Sequence, residues 1–432
     1  MKILSLSRDG RKEILRSLAR PVADLSAERE KVADIIDVVR MEGDAALKRF
    51  TTAFDGINLD SIRVPVAEIR RAGSSLRKEI RRAMRDAERN IRKFQRWTME
   101  CEDGCCVVRK GVYCWQIRRP LDAVGLYVPA GSAPLVSTVL MLAIPAKLAG
   151  VKRIAVCSPP GKDGKIARAT LAACDRLGIT ELYGIGGAQA IAALAYGTET
   201  IAKVEKIAGP GNVYVTVAKA LVAADPQGAA IDMLAGPSEL LVIADGFANP
   251  ANVAADLLSQ AEHDPQSQVV LVATSLRLIE EVKTALEAQK RSLPRLSIVE
   301  RALERSVAVE VSTLSEAIML SNTYAPEHLS LQVEDPAALL PLLTCAGSVF
   351  LGSYAPVTVG DYCSGTNHVL PTSGCARTQS GVSVSTFQKT IMVQSLTRDG
   401  LDLLKGTATT LARAEGLEAH ARAVDIRFPP LP

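Results

Sequence analysis

The 432 residues include only four histidines, all beyond residue 262, and each has ligand-type neighbours. His263 falls within Gln260-Ala-Glu-His-Asp264, and His328 follows Pro326-Glu327. His368 follows Asn367 in a segment that begins Gly360-Asp361, and His420 closes Glu415-Gly-Leu-Glu-Ala-His. Neutral imidazole is a common metal ligand, and its pKa is the nearest to neutral pH of any side chain. Histidine used so sparingly, each time beside carboxylates or amides, points to metal binding and proton transfer.

Gln260 and His263 are three residues apart, a spacing that puts both on one helix face about one turn apart. Two such ligands are completed by distant residues, for which Asp361 and His420 are the candidates. Two nitrogens and two oxygens suit zinc and would also accept manganese or cobalt. The plainer reading of His263 is a helix C-terminal residue whose charge suits the dipole. Glu327 and His328 supply two bases of different pKa at one place, as a reaction with more than one proton transfer needs. The proline before them disfavours helix for its predecessor, so a loop or a helix start is expected there, with a surface glutamate as the plain alternative. Residues 360–368 read as a polar, glycine-rich loop after a late strand, where open α/β folds carry their sites. Asp361 as a simple turn residue is the alternative.

The elements that must position these groups alternate in texture. Residues 1 to about 115 read as mostly helical and charged. Over 76–97 the residues Leu76, Ile80, Met84, Ala87, Ile91 and Phe94 make one apolar stripe on a basic helix. From about 120, strands are expected at 123–128, 153–157 and 181–185, with helices at 137–149 (interrupted or ended near Pro145), 166–177 and 188–195. A second block expects strands at 239–244, 268–273 and 347–351 and helices at 252–262 and 276–289. This alternation implies parallel sheets with helices on both faces. The domains expected are 1–119, mostly helical and packing on the second globule; 120–236, the first α/β globule; 237–377, the second, with the metal and catalytic residues; and 378–432, a helical tail. The tail carries Glu415 and His420, so it must fold back on a site in its own subunit or a partner's. Gly184-Ile-Gly-Gly187 and Gly209-Pro-Gly-Asn212 are glycine turns through which a backbone could approach a pyrophosphate, although no clean G-x-G-x-x-G is present.

Composition narrows the classes. A net charge of +4 argues against a polyanionic partner, and 4% aromatic residues leave little for stacking single-stranded nucleic acid. The apolar stretch 134–146 is too short to span a bilayer, and the N-terminal apolar run is too short for a secretory signal, so a cytoplasmic location is expected. Nine cysteines without a Cys-x-x-Cys pair read as reduced thiols. The cluster Cys101, Cys105, Cys106 and Cys114 fits no structural-zinc spacing.

Taken together, these segments resemble the histidinol dehydrogenase family over nearly the full length. The resemblance rests on Val124-Gly-Leu-Tyr-Val-Pro129, Gly184-Ile-Gly-Gly-Ala-Gln-Ala190, Lys206-Ile-Ala-Gly-Pro-Gly-Asn-Val-Tyr-Val215 and Leu234-Ala-Gly-Pro-Ser-Glu239. It continues through Leu258-Ser-Gln-Ala-Glu-His-Asp264, Tyr324-Ala-Pro-Glu-His-Leu329, Gly365-Thr-Asn-His-Val-Leu-Pro-Thr372 and the Glu415 to His420 segment. It implies two incomplete Rossmann-like globules in an intertwined homodimer. It also implies an enzyme that uses zinc, one ion per subunit, and NAD to take L-histidinol through the bound aldehyde to L-histidine, reducing two NAD at the end of histidine biosynthesis. By the same resemblance Gln260, His263, Asp361 and His420 are the zinc ligands, and Glu327 and His328 the acid/base pair. Ser238, Gln260, His263, His328, Asp361, Glu415 and His420 contact substrate, and Tyr127, Gln189 and Asn212 line the NAD site. His420 and Glu415 then serve the partner's site, and His368 lies near the substrate without an assigned role. The chain departs from the common pattern at Ala130-Gly131, at Leu135-Val136 and at Cys363 and Cys375. A relative acting on another primary alcohol, such as a sulfonated diol, and a metal-binding protein without catalysis are the competing readings.

Overall fold

The structure is a computed structural model that describes residues 1–20, 25–99, 104–130 and 135–428; Cys101, Gly131 and Pro134 lie outside the described residues. The chain opens with β1 (Lys2–Ser5) and α1 (Leu6–Leu18), then α2 (Ser26–Glu42), α3 (Asp44–Asp55), α4 (Val66–Ser75) and α5 (Lys78–Trp97). Strands β2 (Cys106–Arg109) and β3 (Val112–Pro120) follow. The first α/β block runs β4 (Ala123–Tyr127), α6 (Val136–Ala149), β5 (Arg153–Cys157), α7 (Arg168–Arg176), β6 (Glu181–Tyr183), α8 (Gly187–Tyr196), β7 (Lys206–Ala208), α9 (Val213–Ala224) and β8 (Ala230–Ile231). The second begins β9 (Glu239–Ala244), α10 (Pro250–Ala261), β10 (Gln268–Ala273), α11 (Leu276–Lys290), α12 (Leu296–Glu304) and β11 (Val307–Glu310). It ends α13 (Leu314–Tyr324), β12 (His328–Gln332), β13 (Ser348–Leu351) and α14 (Val357–Tyr362), and the chain closes with β14 (Gln388–Leu396), α15 (Arg398–Ala414) and α16 (Glu418–Asp425).

Residues 1–97 and 121–387 form one compact unit with two parallel sheets, ordered β6-β5-β4-β7-β8 and β1-β11-β10-β9-β12-β13. Helices cover both faces of the larger sheet, so its central strands read as unbroken apolar runs rather than alternations. Every residue of β9 and of β10 is buried. The amino-terminal region divides between the two sheets. Leu4, Ile14 and Leu18 of β1 and α1 join the core of the larger sheet. Val32, Ile36 and Val39 of α2 and Ala46 and Leu47 of α3 pack instead with the first block, against α8. That helix is rich in alanine, which lets neighbouring helices approach closely. Packing of 1–119 on the second globule alone is therefore corrected.

The helix α6 runs through Pro145 where an interruption or end was expected. Proline has no N–H, which leaves the carbonyl four residues earlier without its helical partner. That carbonyl belongs to Met141, and the side-chain amide of Asn367 donates to it at 2.7 Å. The helix continues because a distant side chain replaces the missing bond.

Residues 98–120 and 388–432 form the second unit. Its described part is a three-stranded sheet, β14-β3-β2, followed by α15 and α16. The expected helical tail from 378 is corrected. Residues Gln388–Leu396 are a strand, paired antiparallel along the whole of β3. The rest of the tail is two helices, α15 and α16, separated at Gly416 with φ 76°. Thr397 caps α15 by accepting the Gly400 N–H, and Arg413 of α15 holds Glu418 and Asp425 of α16. Val107, Met392, Leu403, Leu411 and Ile426 of this unit are exposed. Among the described residues no helix is long and apolar enough to cross a membrane.

Candidate active site

The acid/base candidates stand where the second sheet begins. His328 is the first residue of β12, and Glu327 immediately precedes it. Glu327 lies in the short connection after α13, in keeping with the loop expected there, whereas His328 is already in the sheet, because α13 ends at Tyr324, Ala325 takes the left-handed region (φ 53°) and the strand begins three residues later. Glu327 is not a surface residue, since both side chains are buried. The neighbouring strand β9 holds the pair through its own first residue. The backbone N–H of Glu239 donates to Glu327 Oε2 at 2.8 Å, and the Glu239 carbonyl lies 3.1 Å from His328 Nδ1. That carbonyl can only accept, so Nδ1 carries the proton. The Glu239 side chain is anchored in turn by Arg20, with Nη2 to Oε2 at 2.7 Å, and by the Ser373 N–H at 3.0 Å.

This places the site at the amino ends of β9 and β12. The usual crevice of open α/β sheets lies at the carboxyl ends. The second block departs from that rule because α10 and α14 return the chain to the amino side. Asp361 sits in the last turn of α14, not in a glycine loop as expected. The close approach of α14 requires Gly360, where a Cβ would stand 2.4 Å from the Phe350 ring. Phe350 in turn stacks on His328, with centroids 5.9 Å apart.

Asp361 Oδ1 lies 3.4 Å from His328 Nε2, and Glu327 Oε2 lies 3.4 Å from Nδ1. Burial works against a charge on His328, but Glu327 and Asp361 outweigh it and raise the pKa to about 10. Burial likewise opposes the Asp361 charge, yet His328, His368 and His263 hold its carboxyl below the usual range. His368 bridges two elements: Nδ1 donates to the Asp361 carbonyl at 2.7 Å, and Nε2 lies 3.3 Å from the Thr138 hydroxyl on α6. Burial keeps it neutral by lowering its pKa.

Gln260 is buried in the last turn of α10, and His263 follows two residues beyond the helix end, exposed. The Gln260 amide nitrogen is buried with no hydrogen-bond partner. An amide carbonyl and nitrogen exchange places on rotation, so this side chain has unspent polar capacity in the site. An orphaned amide, an imidazole and a carboxylate at the ends of two neighbouring helices make a donor set that fits zinc. Among the described residues no three His, Cys, Asp or Glu side chains are grouped to hold a metal, so these three donors need a fourth. Glu415 and His420 lie in the second unit: Glu415 caps α15 at its C-terminus, His420 is in the first turn of α16, and both are exposed. Ser238 precedes β9 and is half-buried.

The first sheet supplies a crevice of the usual kind. Strand order reverses between β4 and β7, and the glycine turns follow the carboxyl ends of β6 and β7. Tyr127 ends β4, and its hydroxyl accepts the Gly187 N–H at 3.1 Å. Burial pushes its pKa up to about 12. Gln189 is buried, with Oε1 lacking a partner. Asn212 caps α9 by accepting the Val215 N–H at 3.1 Å and is otherwise exposed. A helix N-terminus after a glycine turn suits a pyrophosphate. The turn is clamped from below. Lys219 Nζ donates to the Gly209 carbonyl at 3.0 Å and to Asp232 Oδ1, and Asp232 Oδ2 accepts the Gly209 N–H at 2.8 Å. Gly209 has φ 129°, and a Cβ there would collide with the Tyr127 carbonyl at 2.1 Å.

Glu239, Arg20, Lys219 and Asp232 escaped the sequence reading. Only Glu239 left a signal, as a carboxylate inside an otherwise apolar strand.

Comparison with known proteins shows the family. The profile described as histidinol dehydrogenase matches residues 18–428. A histidinol dehydrogenase of Xanthomonas axonopodis pv. citri is 52% identical over 431 residues, 99% of each chain. One from Photobacterium profundum is 50% identical over 92% of this chain and 88% of its own. The crystal structure of histidinol dehydrogenase from Elizabethkingia anophelis superimposes with a TM-score of 0.95 at 43% identity, covering 99% of this chain and 98% of that one.

Proposed function

The chain belongs to the histidinol dehydrogenase family, NAD-dependent oxidoreductases, and from that premise we propose that it oxidises L-histidinol to L-histidine in two steps. Each step reduces one NAD, and the aldehyde stays bound between them. The observation that carries this reading is the buried Glu327–His328 pair, held by β9 beside Asp361.

Gln260, His263 and Asp361 would hold zinc, one ion per subunit, with His420 as the fourth ligand. Zinc there would supply a fixed positive charge suited to the imidazole and amine of the substrate. Ser238 and Glu415 would contact the substrate beside these ligands. Tyr127, Gln189 and Asn212 would line the site of NAD, the hydride acceptor, in the crevice of the first sheet.

His328 takes the hydroxyl proton as hydride leaves. With two carboxylates facing it, its pKa of about 10 keeps it protonated at neutral pH. A cation held by Asp361 would draw that carboxylate from His328 and leave Glu327 as its acidic partner, which would favour the neutral imidazole that a base requires. Glu327 then polarises the water that attacks the bound aldehyde. Retaining the aldehyde prevents escape of a reactive intermediate.

His420 and Glu415 act in trans, in an intertwined homodimer. The exposed apolar residues of the second unit support this, since Met392, Leu403, Leu411 and Ile426 are the kind of surface a partner subunit covers. The setting is the cytoplasm.

The test is NAD reduction by the purified protein with L-histidinol or a sulfonated diol, with and without a chelator. Reduction with histidinol alone, abolished by chelation, is expected. Reduction only with the diol, or metal binding without turnover, contradicts the proposal.

A further inference from the structure

The helix α10 carries Asp256 and Gln260 one turn apart on one face, and His263 follows just beyond its end. Two of them belong to the site already described, and Asp256 does not. It is nevertheless buried, one turn before Gln260. Its carboxylate has two partners. Gln332 Nε2, at the far end of β12, donates to Oδ2 at 2.8 Å. The backbone N–H of Val357, the first residue of α14, faces the carboxylate and favours its anion.

These contacts have a common pattern. Val357 stands four residues before Asp361 on α14. Gln332 stands four residues after His328 on β12 and, at an even spacing, on the same face. Asp256 stands four residues before Gln260 on α10. One carboxylate therefore bonds α10, which carries Gln260 and leads to His263, to β12, which begins at His328, and faces the start of α14, which carries Asp361; the site residues lie about 6 Å away along the helices and about 13 Å away along the strand. We propose that Asp256 is a positioning residue, a tie that fixes the relative placement of the metal ligands and of His328.

The tie is held against an energetic gradient. Burial pushes the Asp256 carboxyl up to about 6, although Gln332 and the Val357 N–H both favour the anion. At neutral pH the chain keeps a buried anion where an uncharged residue would cost less. The Gln332 Oε1 atom is buried without a partner, so the Gln332 amide is oriented by its bond to Asp256. Residues behind metal ligands orient them, and their loss typically lowers metal affinity or activity about 10- to 100-fold.

The inference rests on the proposed zinc site, so wild-type full-length protein is measured first. Failure of the wild type to bind zinc or to oxidise L-histidinol overturns the functional reading and this inference with it. Three variants then test Asp256 alone: Asp256→Asn, Gln332→Met, and Asp256→Asn combined with Gln332→Glu. In the combined variant donor and acceptor are exchanged: the asparagine amide donates to the new carboxylate, which restores the bond between α10 and β12. Zinc affinity is read by competition with a chromogenic chelator, alongside kcat, KM for NAD and thermal unfolding of the metal-free protein. Asp256→Asn is expected to weaken zinc binding about 10- to 100-fold and lower kcat, with KM for NAD within about threefold and one cooperative unfolding transition. Gln332→Met is expected to lower kcat, and the combined variant to recover zinc affinity to within about threefold of wild type. Unchanged zinc affinity and kcat in both single variants overturns the inference alone. So does an equal loss of NAD affinity, the mark of general loosening.

Discussion

His328 and Asp361 face each other with Nε2 and Oδ1 3.4 Å apart, a buried imidazole against a carboxylate that is itself a candidate metal ligand. The two roles compete. A carboxylate that pairs with His328 keeps the imidazole protonated, and one that turns to a cation releases it. In the proposed function, engagement of the ligand set would thus prepare the base.

Replacing that base separates chemistry from binding. His328→Asn is predicted to lower kcat by about 10²- to 10⁴-fold, the usual contribution of a positioned base. Zinc content is predicted to stay at one ion per chain, because His328 is not a ligand. Steady-state kinetics with metal analysis checks both, and loss of the metal together with kcat would count against the assignment.

Pro145 and Asn367 should show strong coupling. Asn367→Leu leaves the Met141 carbonyl unpaired in a buried helix, at a cost of about 1–3 kcal/mol. Pro145→Ala supplies a backbone N–H for the same carbonyl. A double-mutant cycle by denaturant unfolding is predicted to show that Pro145→Ala rescues much of the loss caused by Asn367→Leu.

Lys219 and Asp232 form a buried ion pair beneath the Gly209 turn. Lys219→Met strands a buried carboxylate and is predicted to destabilise the fold by about 3–5 kcal/mol. In protein kept folded at low temperature, KM for NAD should rise more than KM for histidinol. Equal changes in the two would show that the clamp does not serve the cofactor turn.

Asp256 gives a pH signature of its own. Its folded pKa of about 6 lies above the unfolded value of about 3.9. Between these values the native state holds more proton than the unfolded state, so stability falls as pH rises through about 4 to 6. Its partners, Gln332 and a backbone N–H, do not titrate. The stability of Asp256→Asn relative to wild type, both metal-free, is predicted to improve by on the order of 2 kcal/mol from pH 4 to pH 7. A pH-independent difference, read from denaturant midpoints, would contradict this.

The parallel blocks were legible because strands buried on both faces are written as continuous apolar runs. Residues 153–157, 239–244 and 268–273 coincide with β5, β9 and β10. The strand β14 was not legible. Gln-Lys-Thr-Ile-Met-Val-Gln-Ser-Leu has no clean alternation, and its partner β3 lies some 270 residues earlier in the chain. The same holds for β1, whose four residues enter the sheet beside a strand three hundred positions away. At the site, residue types and their i, i+3 spacing drew attention to Gln260 and His263. The supports escaped because they act through backbone atoms, as Glu239 does, or from the far end of an element. Asp256 was within reach, since it shares a helix face with Gln260.

The most direct measurement is the number of NADH formed per L-histidine released by protein stripped with a chelator and reloaded with one zinc per chain. Two NADH per histidine, with no turnover before reloading and no free aldehyde, is the predicted result. One NADH with release of the aldehyde, or full turnover by the stripped protein, would contradict it.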